Sequence, residues 1–197
     1  MLASTPRAQQ ILEAALDLAE AQGVSGVTTA ALARRLDFTE AALYRYYSGK
    51  AGILVGGLQH LGERLLATML LEVDVDAVSE PQHAIGQLTR HITRFAHRQG
   101  LLIELLLYAA ANRGENLREA ANAFMQEYRR RLIVYFAQLQ ERNLVSNATP
   151  AEELGRMWIC QLLGSFLHCR LTGEPWRAEE QPGFRAFCQV LGASTTP

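Results

Sequence analysis

The stretch TTAALARRLDFTEAALYRYYSGK, Thr28 to Lys50, decides how the N-terminal part of the chain folds. Leu32 and Leu36, four residues apart, put apolar side chains on one side of a short helix, and Thr28 or Thr29 offers the oxygen that caps its first turn. That helix stops at Leu36-Asp37-Phe38, because aspartate is among the few residues besides glycine that tolerate a left-handed backbone. Thr39 then offers a cap for a second short helix, Glu40 to Tyr46. At about 100° per residue, Leu43 and Tyr47 share its inward face, Ala41 and Arg45 lie nearly opposite, and Ala42 and Tyr44 flank them. The outward face combines two alanines that let the backbone come close, an arginine fork and tyrosine hydroxyls, with Lys50 just beyond. These are groups suited to a DNA groove and its phosphates.

The same residues resemble the DNA-binding domain of the TetR family of transcriptional regulators. In that family a threonine pair opens the second helix, a tight turn leads to the recognition helix, and a leucine-tyrosine run ending in histidine and phenylalanine precedes a lysine. Here the run reads Leu43-Tyr44-Arg45-Tyr46-Tyr47, then Ser48-Gly49-Lys50. Asp37 stands where glycine is usual and Tyr46 where histidine is usual, so the phosphate contact expected there comes from a phenol. The resemblance covers the first quarter of the chain closely and the helical remainder loosely. It implies that Thr28, Thr29, Thr39, Ala41, Ala42, Tyr44, Arg45, Tyr46 and Lys50 meet double-stranded DNA at a palindromic operator. Lys50 is the chain's single lysine among eighteen arginines, and it falls where the family places a phosphate contact, at the start of the next helix.

Composition sets the frame around this motif. A chain of 197 residues, 49% hydrophobic and 20% charged, is an ordinary globular protein with room for a sizeable core. Its formal charge of −1 means that any DNA contact is local, and the first fifty residues are balanced too, Arg7, Arg34, Arg35, Arg45 and Lys50 facing Glu13, Asp17, Glu20, Asp37 and Glu40. The three cysteines, Cys160, Cys169 and Cys188, lack metal-ligand spacing and read as buried free thiols of a reducing compartment. The most apolar run, Leu101 to Ala111, is too short to cross a bilayer, and no signal peptide is visible, so a cytoplasmic protein without a membrane partner is expected. The five histidines lack helical metal-pair spacing, and there is no phosphate loop or nucleophile elbow. No enzyme, cofactor or metal is expected.

Periodicity and caps give an all-α fold of about nine helices, with a three-helix helix-turn-helix domain over 1–50 and a bundle over 51–197, which the resemblance implies is a C-terminal ligand-binding and dimerisation domain. The first helix runs from Arg7 to Gln22 and ends at Gly23. A fourth spans about 50–73 with a stripe of Leu54, Leu58, Leu61, Leu65 and Met69, and its Gly56, Gly57 and Gly62 point either to close packing or to a bendable link. A fifth begins near Pro81 and breaks at Gly100. The sixth, Leu101 to Ala111, has no polar face and should be buried on all sides. A seventh covers about Glu115 to Arg142 and carries Arg129-Arg130-Arg131 on a solvated face. Thr149-Pro150-Ala151-Glu152 reads as a capping box for an eighth, closed by Gly173, and a short final helix lies near Phe184 to Leu191.

The eighth helix is apolar around most of its circumference and needs a second surface. Gly155 and Gly164 would admit a close neighbour, and with Leu167, Phe184, Phe187 and Leu191 they form the candidate homodimer interface that the family resemblance implies. Phe95, Phe124, Tyr128, Trp158 and Phe166 are candidates to line a pocket for a small apolar ligand, although such stripes also make plain core. The expected function is a sequence-specific, homodimeric repressor released by a ligand. A second reading is a nucleoid-associated factor whose C-terminal part binds a protein partner, since Thr39 to Arg45, TEAALYR, and the layout of the last helices also resemble TetR-type nucleoid-occlusion factors.

Overall fold

The computed structural model describes residues 5–192 apart from Val73, Phe95, Arg113, 175–185 and Cys188. Among the described residues there are eight helices and no strand: α1 Pro6–Gly26, α2 Thr29–Leu36, α3 Glu40–Tyr44, α4 Gly49–Glu72, α5 Pro81–Arg94, α6 Ala96–Ala111, α7 Glu115–Glu141 and α8 Ala151–Thr172. Short helical pieces follow at 186–187 and 189–190. Packing divides the backbone into two compact units, Met1–Glu63 with Arg98–Phe124, and Arg64–His97 with Met125–Pro197. The unit that holds α1 to α3 therefore extends beyond residue 50.

In the first unit α1 packs on α2 and α2 on α3. Ile11, Leu32, Leu43, Ile53, Leu58 and Leu61 are almost fully removed from water. Three glycines of α4 serve close approach. A Cβ on Gly57 would stand 3.2 Å from Leu16 Cδ2, one on Gly56 3.0 Å from Tyr47 Cε1, and one on Gly62 2.7 Å from Phe124 Cδ2.

Several boundaries differ from the sequence expectation for identifiable reasons. α1 continues past Gly23, which adopts φ +76° as a kink, because Val24 still has a place in the core. Gly100 lies inside α6. A lone glycine costs a helix only about 1 kcal/mol, and burial of Leu101, Leu102, Ile103 and Leu105 outweighs that. The same helix does have an outward side, for Leu107 is 39% exposed. The residue flanking the start of α8 is Pro150, which has no side-chain oxygen, so Thr149 does not cap that helix. Cys160 is exposed on α8 while Cys169 is buried, both as free thiols.

In the second unit an aromatic cluster forms the centre. Phe187 meets Phe136 at 5.9 Å and Trp158 at 5.6 Å between ring centroids, and Tyr135 lies against Phe136. The Tyr135 hydroxyl donates to the Ala84 carbonyl at 3.0 Å, with Gln87 Oε1 at 3.1 Å, and Gln87 Nε2 donates to the Asp74 carbonyl at 2.8 Å. This chain of bonds pins α5 to α7 and satisfies polar groups that burial would otherwise penalise. Of the arginine run, Arg130 is exposed, whereas Arg131 donates to the Leu66 carbonyl and to Glu127 and is part of the packing.

His91 on α5 is fully buried. The Thr68 hydroxyl donates to the Leu65 carbonyl at 2.9 Å, so at the 3.4 Å contact with His91 Nδ1 the ring nitrogen must be the donor. Among the described residues Nε2 is then an acceptor without a hydrogen-bond partner, and burial lowers the pKa of the ring from 6.5 to about 4.

Both the glycine packing and the buried histidine can be tested. Replacing Gly62 by alanine gains about 1 kcal/mol of helix propensity but forces the Phe124 ring aside, a strain of about 1 to 3 kcal/mol, so Gly62→Ala should lower the urea midpoint. A raised midpoint would mean that the ring has room to move. For His91 the folded state refuses a proton that the unfolded chain accepts, so its contribution is intact above pH 6.5 and is lost as pH falls from there to about 4. Thermal melts across that window should show the decline, and His91→Leu should make it shallower.

Candidate nucleic-acid interface

Local chemistry places the outward groups of α2 and α3. Thr28 Oγ1 accepts from Ala31 N at 3.1 Å and starts α2. Asp37 ends it in the left-handed region, φ 53° and ψ 46°. Thr39 Oγ1 accepts from Ala42 N at 3.2 Å and starts α3, with Glu40 in the first turn where the helix dipole favours an acid. The helix itself is only five residues, Glu40–Tyr44, and Arg45 follows in the capping turn.

Leu43 is 1% exposed and anchors α3, whereas Tyr44 on its outer side is 57% exposed. Ala41, Arg45, Thr28 and Thr39 are exposed as well, and Ala42, Tyr46, Thr29 and Lys50 are half-buried. Lys50 has partners of its own within the chain. Its Nζ donates to the Ser25 carbonyl at 2.9 Å and stands 5.7 Å from the centroid of the Tyr108 ring. Tyr47 faces inward, its hydroxyl donating to the Ala8 carbonyl at 3.1 Å, and burial raises its pKa.

Electrostatics resolve the balanced charge of the first fifty residues. Arg35 pairs with Asp17 at 3.2 Å, an exposed bridge worth little to stability, and Arg7 lies over the Phe38 ring at 5.2 Å. Among the described residues neither Arg34 nor Arg45 has a partner, and both are exposed. Among the described residues two guanidinium groups are therefore free, Arg34 in the last turn of α2 and Arg45 in the turn that follows α3. Arg34 did not stand out in the sequence, although its place in the last turn of α2 is a usable signal. Tyr108 carried no signal, because it comes from α6.

The other candidate sites are less coherent. Phe124 lies in the first unit against Gly62, while Tyr128, Trp158 and Phe166 are buried in the second, Trp158 Nε1 donating to the Tyr128 hydroxyl at 3.4 Å. Phe95 lies outside the described residues. A cleft of about 260 Å³ in the second unit is lined by Met69, Val75, Arg130, Arg131, Val134, Tyr135 and Gln138, none of them among those candidates. Of the residues expected at a dimer interface, Gly155 is packed against Leu132 and Ile133, and Phe187 and Leu191 are 3% and 1% exposed inside their own unit. Phe184 lies outside the described residues. Gly164 and Leu167 are exposed, and with Cys160 and Leu171 they form an outward stripe on α8 spaced four, three and four residues apart.

Residues 11–55 match the family model described as bacterial regulatory proteins, tetR family. The chain is similar to the nucleoid occlusion factor SlmA of Aliivibrio fischeri, 28% identical over 195 residues that cover 95% of this chain and 94% of that protein. It is 29% identical to SlmA of Vibrio campbellii over 81% of this chain and 80% of the relative. Its fold is similar to the crystal structure of a TetR-family transcriptional regulator from Cytophaga hutchinsonii, with a TM-score of 0.76 at 14% identity, covering 100% of this chain and 99% of that one.

Arg45→Ala should cost about 1 to 3 kcal/mol of affinity on a preferred DNA site and much less on variants changed at the contacted base pair. Titration of single-pair variants measures this, and equal weakening on every sequence would make Arg45 a backbone contact. Thr39→Ala removes the cap of a five-residue helix and should cost about 1 kcal/mol of stability, read from the denaturation midpoint.

Proposed function

We propose, from the premise that this chain is a TetR-family DNA-binding regulator, that it acts as a homodimeric repressor reading a palindromic operator with residues 1–50 and responding to a small apolar ligand held by residues 51–197. The observation that carries the reading is the capped, outward-facing α3 with unpaired Arg45 beside exposed Tyr44 and Ala41. Small residues and a free fork are what close approach to base edges requires.

Dimerisation follows from the outward stripe of α8. Leu167 and Leu171, 45% and 78% exposed, would face water in a lone chain, and a two-fold axis beside Gly164 covers the same patch twice. Two copies also double a DNA contact set that is small in one, and they set the half-site spacing. Thr28, Thr29, Thr39, Ala42 and Tyr46 border the reading face and serve as supporting contacts to the backbone of the duplex.

The second reading has its own support, because relatives named nucleoid occlusion factor are similar over nearly the whole chain and not only over the DNA-binding part. Under it the C-terminal part binds a protein partner and the sites are scattered. Selection of bound fragments from the source genome separates the two. Recovery of sites beside one operon supports a dedicated repressor, recovery across the chromosome supports the second reading, and failure to enrich any fragment would sink both.

The dimer has a separate check. A Cβ on Gly164 meets open space, so Gly164→Arg should leave the chain folded yet sediment as a monomer with greatly weakened operator binding. A folded Gly164→Arg protein that still sediments as a dimer would move the interface off this stripe.

A further inference from the structure

The cleft of about 260 Å³ in the second unit joins an apolar floor to a cationic rim. Met69 near the end of α4, Val75 in the segment after it, and Val134 and Tyr135 on α7 make the floor, with Arg130 and Arg131 beside them on α7. Val134 is 46% exposed, so apolar surface is left open to water in the middle of the cleft. The Tyr135 hydroxyl is already engaged with the Ala84 carbonyl and Gln87, so the polar part of any ligand falls to the arginines.

Those arginines carry more charge than their surroundings neutralise. Glu127 Oε2 accepts from Arg130 Nε and its Oε1 from Arg130 Nη2, both at 2.8 Å, and Oε1 also accepts from Arg131 Nε at 2.7 Å. These bonds, those from Arg130 before those from Arg131, hold the Glu127 pKa down at about 2. Sharing Oε1 sets the two guanidinium groups side by side, and one carboxylate between two cations leaves a positive charge over. Arg131 Nη1 is taken by the Leu66 carbonyl, but among the described residues Arg130 Nη1 and Arg131 Nη2 have no acceptor. The other charges nearby come in opposite pairs: Arg90 and Asp74 bear on the Tyr135 hydroxyl with opposite signs, and Arg142 pairs with Asp76.

We propose that this cleft binds a small molecule with an apolar body and one carboxylate, the body on Met69, Val75 and Val134 and the carboxylate on the outer nitrogens of Arg130 and Arg131. A planar guanidinium fork matches a carboxylate, and a single surplus charge suits a monoanion. The volume lies just under the roughly 300 Å³ at which pockets for drug-sized ligands begin, so the body is small. This deepens the ligand half of the proposed function, on which its regulatory use rests, and moves the site away from Phe124, Tyr128, Trp158 and Phe166, none of which lines the cleft.

Octanoate is a suitable probe, with 1-octanol as its uncharged counterpart, and isotope-labelled methionine and valine methyl groups in the full-length protein report where each binds. Octanoate should shift the Met69, Val75 and Val134 resonances and bind about tenfold more tightly than octanol, with the difference shrinking as salt is raised. Arg130→Gln leaves one guanidinium for one carboxylate and should weaken octanoate about tenfold. Glu127→Gln leaves both guanidinium groups without a carboxylate and should tighten it about fivefold, which a merely structural role for Glu127 would not do. Equal affinity for octanol and octanoate, or octanoate binding that ignores both substitutions, would overturn the proposal. Shifts confined to methyl groups elsewhere would overturn it while leaving a ligand-responsive regulator standing. A response to an acetylated tripeptide ending in leucine, with none to octanoate, would overturn it in favour of a protein partner. The regulatory reading fails separately: octanoate that fills the cleft as described, yet leaves affinity for a recovered genomic fragment unchanged, supports the site and counts against release by this ligand.

Discussion

A five-residue helix cannot hold itself together in water, so everything α3 presents depends on how it is held. Leu43 is buried beneath it, Thr39 caps its first turn, and the Tyr47 hydroxyl ties the segment just after it to the Ala8 carbonyl of α1. With these three restraints the backbone of Ala41 to Arg45 is fixed before any DNA arrives. Under the proposed function, a face formed in advance avoids the ordering cost that a flexible one would bring to each binding event.

The restraints on α3 depend in turn on α4. Gly56 lets the Tyr47 ring approach that helix, Gly57 admits Leu16 of α1, and Gly62 admits the Phe124 ring of α7. These three glycines cost α4 about 3 kcal/mol of helix propensity, and the apolar burial of its own Leu58 and Leu61, with Leu16 and Phe124 packed against it, exceeds that. Of the two explanations the sequence left open for these glycines, close packing accounts for all three contacts. Lys50, at the start of the same helix, adds a charged tie to α1 where apolar contact ends.

In the second unit the balance between core and surface differs from what helical stripes suggest. Phe187 and Leu191 look like an additional apolar edge in the sequence, but the former completes a cluster with Phe136 and Trp158, and the latter is equally enclosed. Gly155 likewise makes room for α7 and not for a second chain. Among the described residues of α8, the apolar surface left exposed is the narrower stripe of Cys160, Gly164, Leu167 and Leu171. A stripe of that spacing suits one partner helix, and it is narrower than the face of Gly155, Gly164, Leu167, Phe184, Phe187 and Leu191 expected from the sequence.

What the sequence determined by itself are features closed within a few residues: the caps at Thr28 and Thr39, the left-handed turn at Asp37, the inward Leu43, the outward Tyr44 and Arg45, and the end of α8 at Gly173. Each depends on dihedral preference or on a hydrogen bond spanning three or four positions, so the residues that decide it are adjacent in the sequence. The tertiary structure alone decided what far-separated residues do to one another. Ser25 and Tyr108 take the Lys50 ammonium, Phe124 closes over Gly62, and Phe187 enters the core beside Trp158. Periodicity shows that a side chain points inward, but which helix it meets there depends on how the whole chain packs.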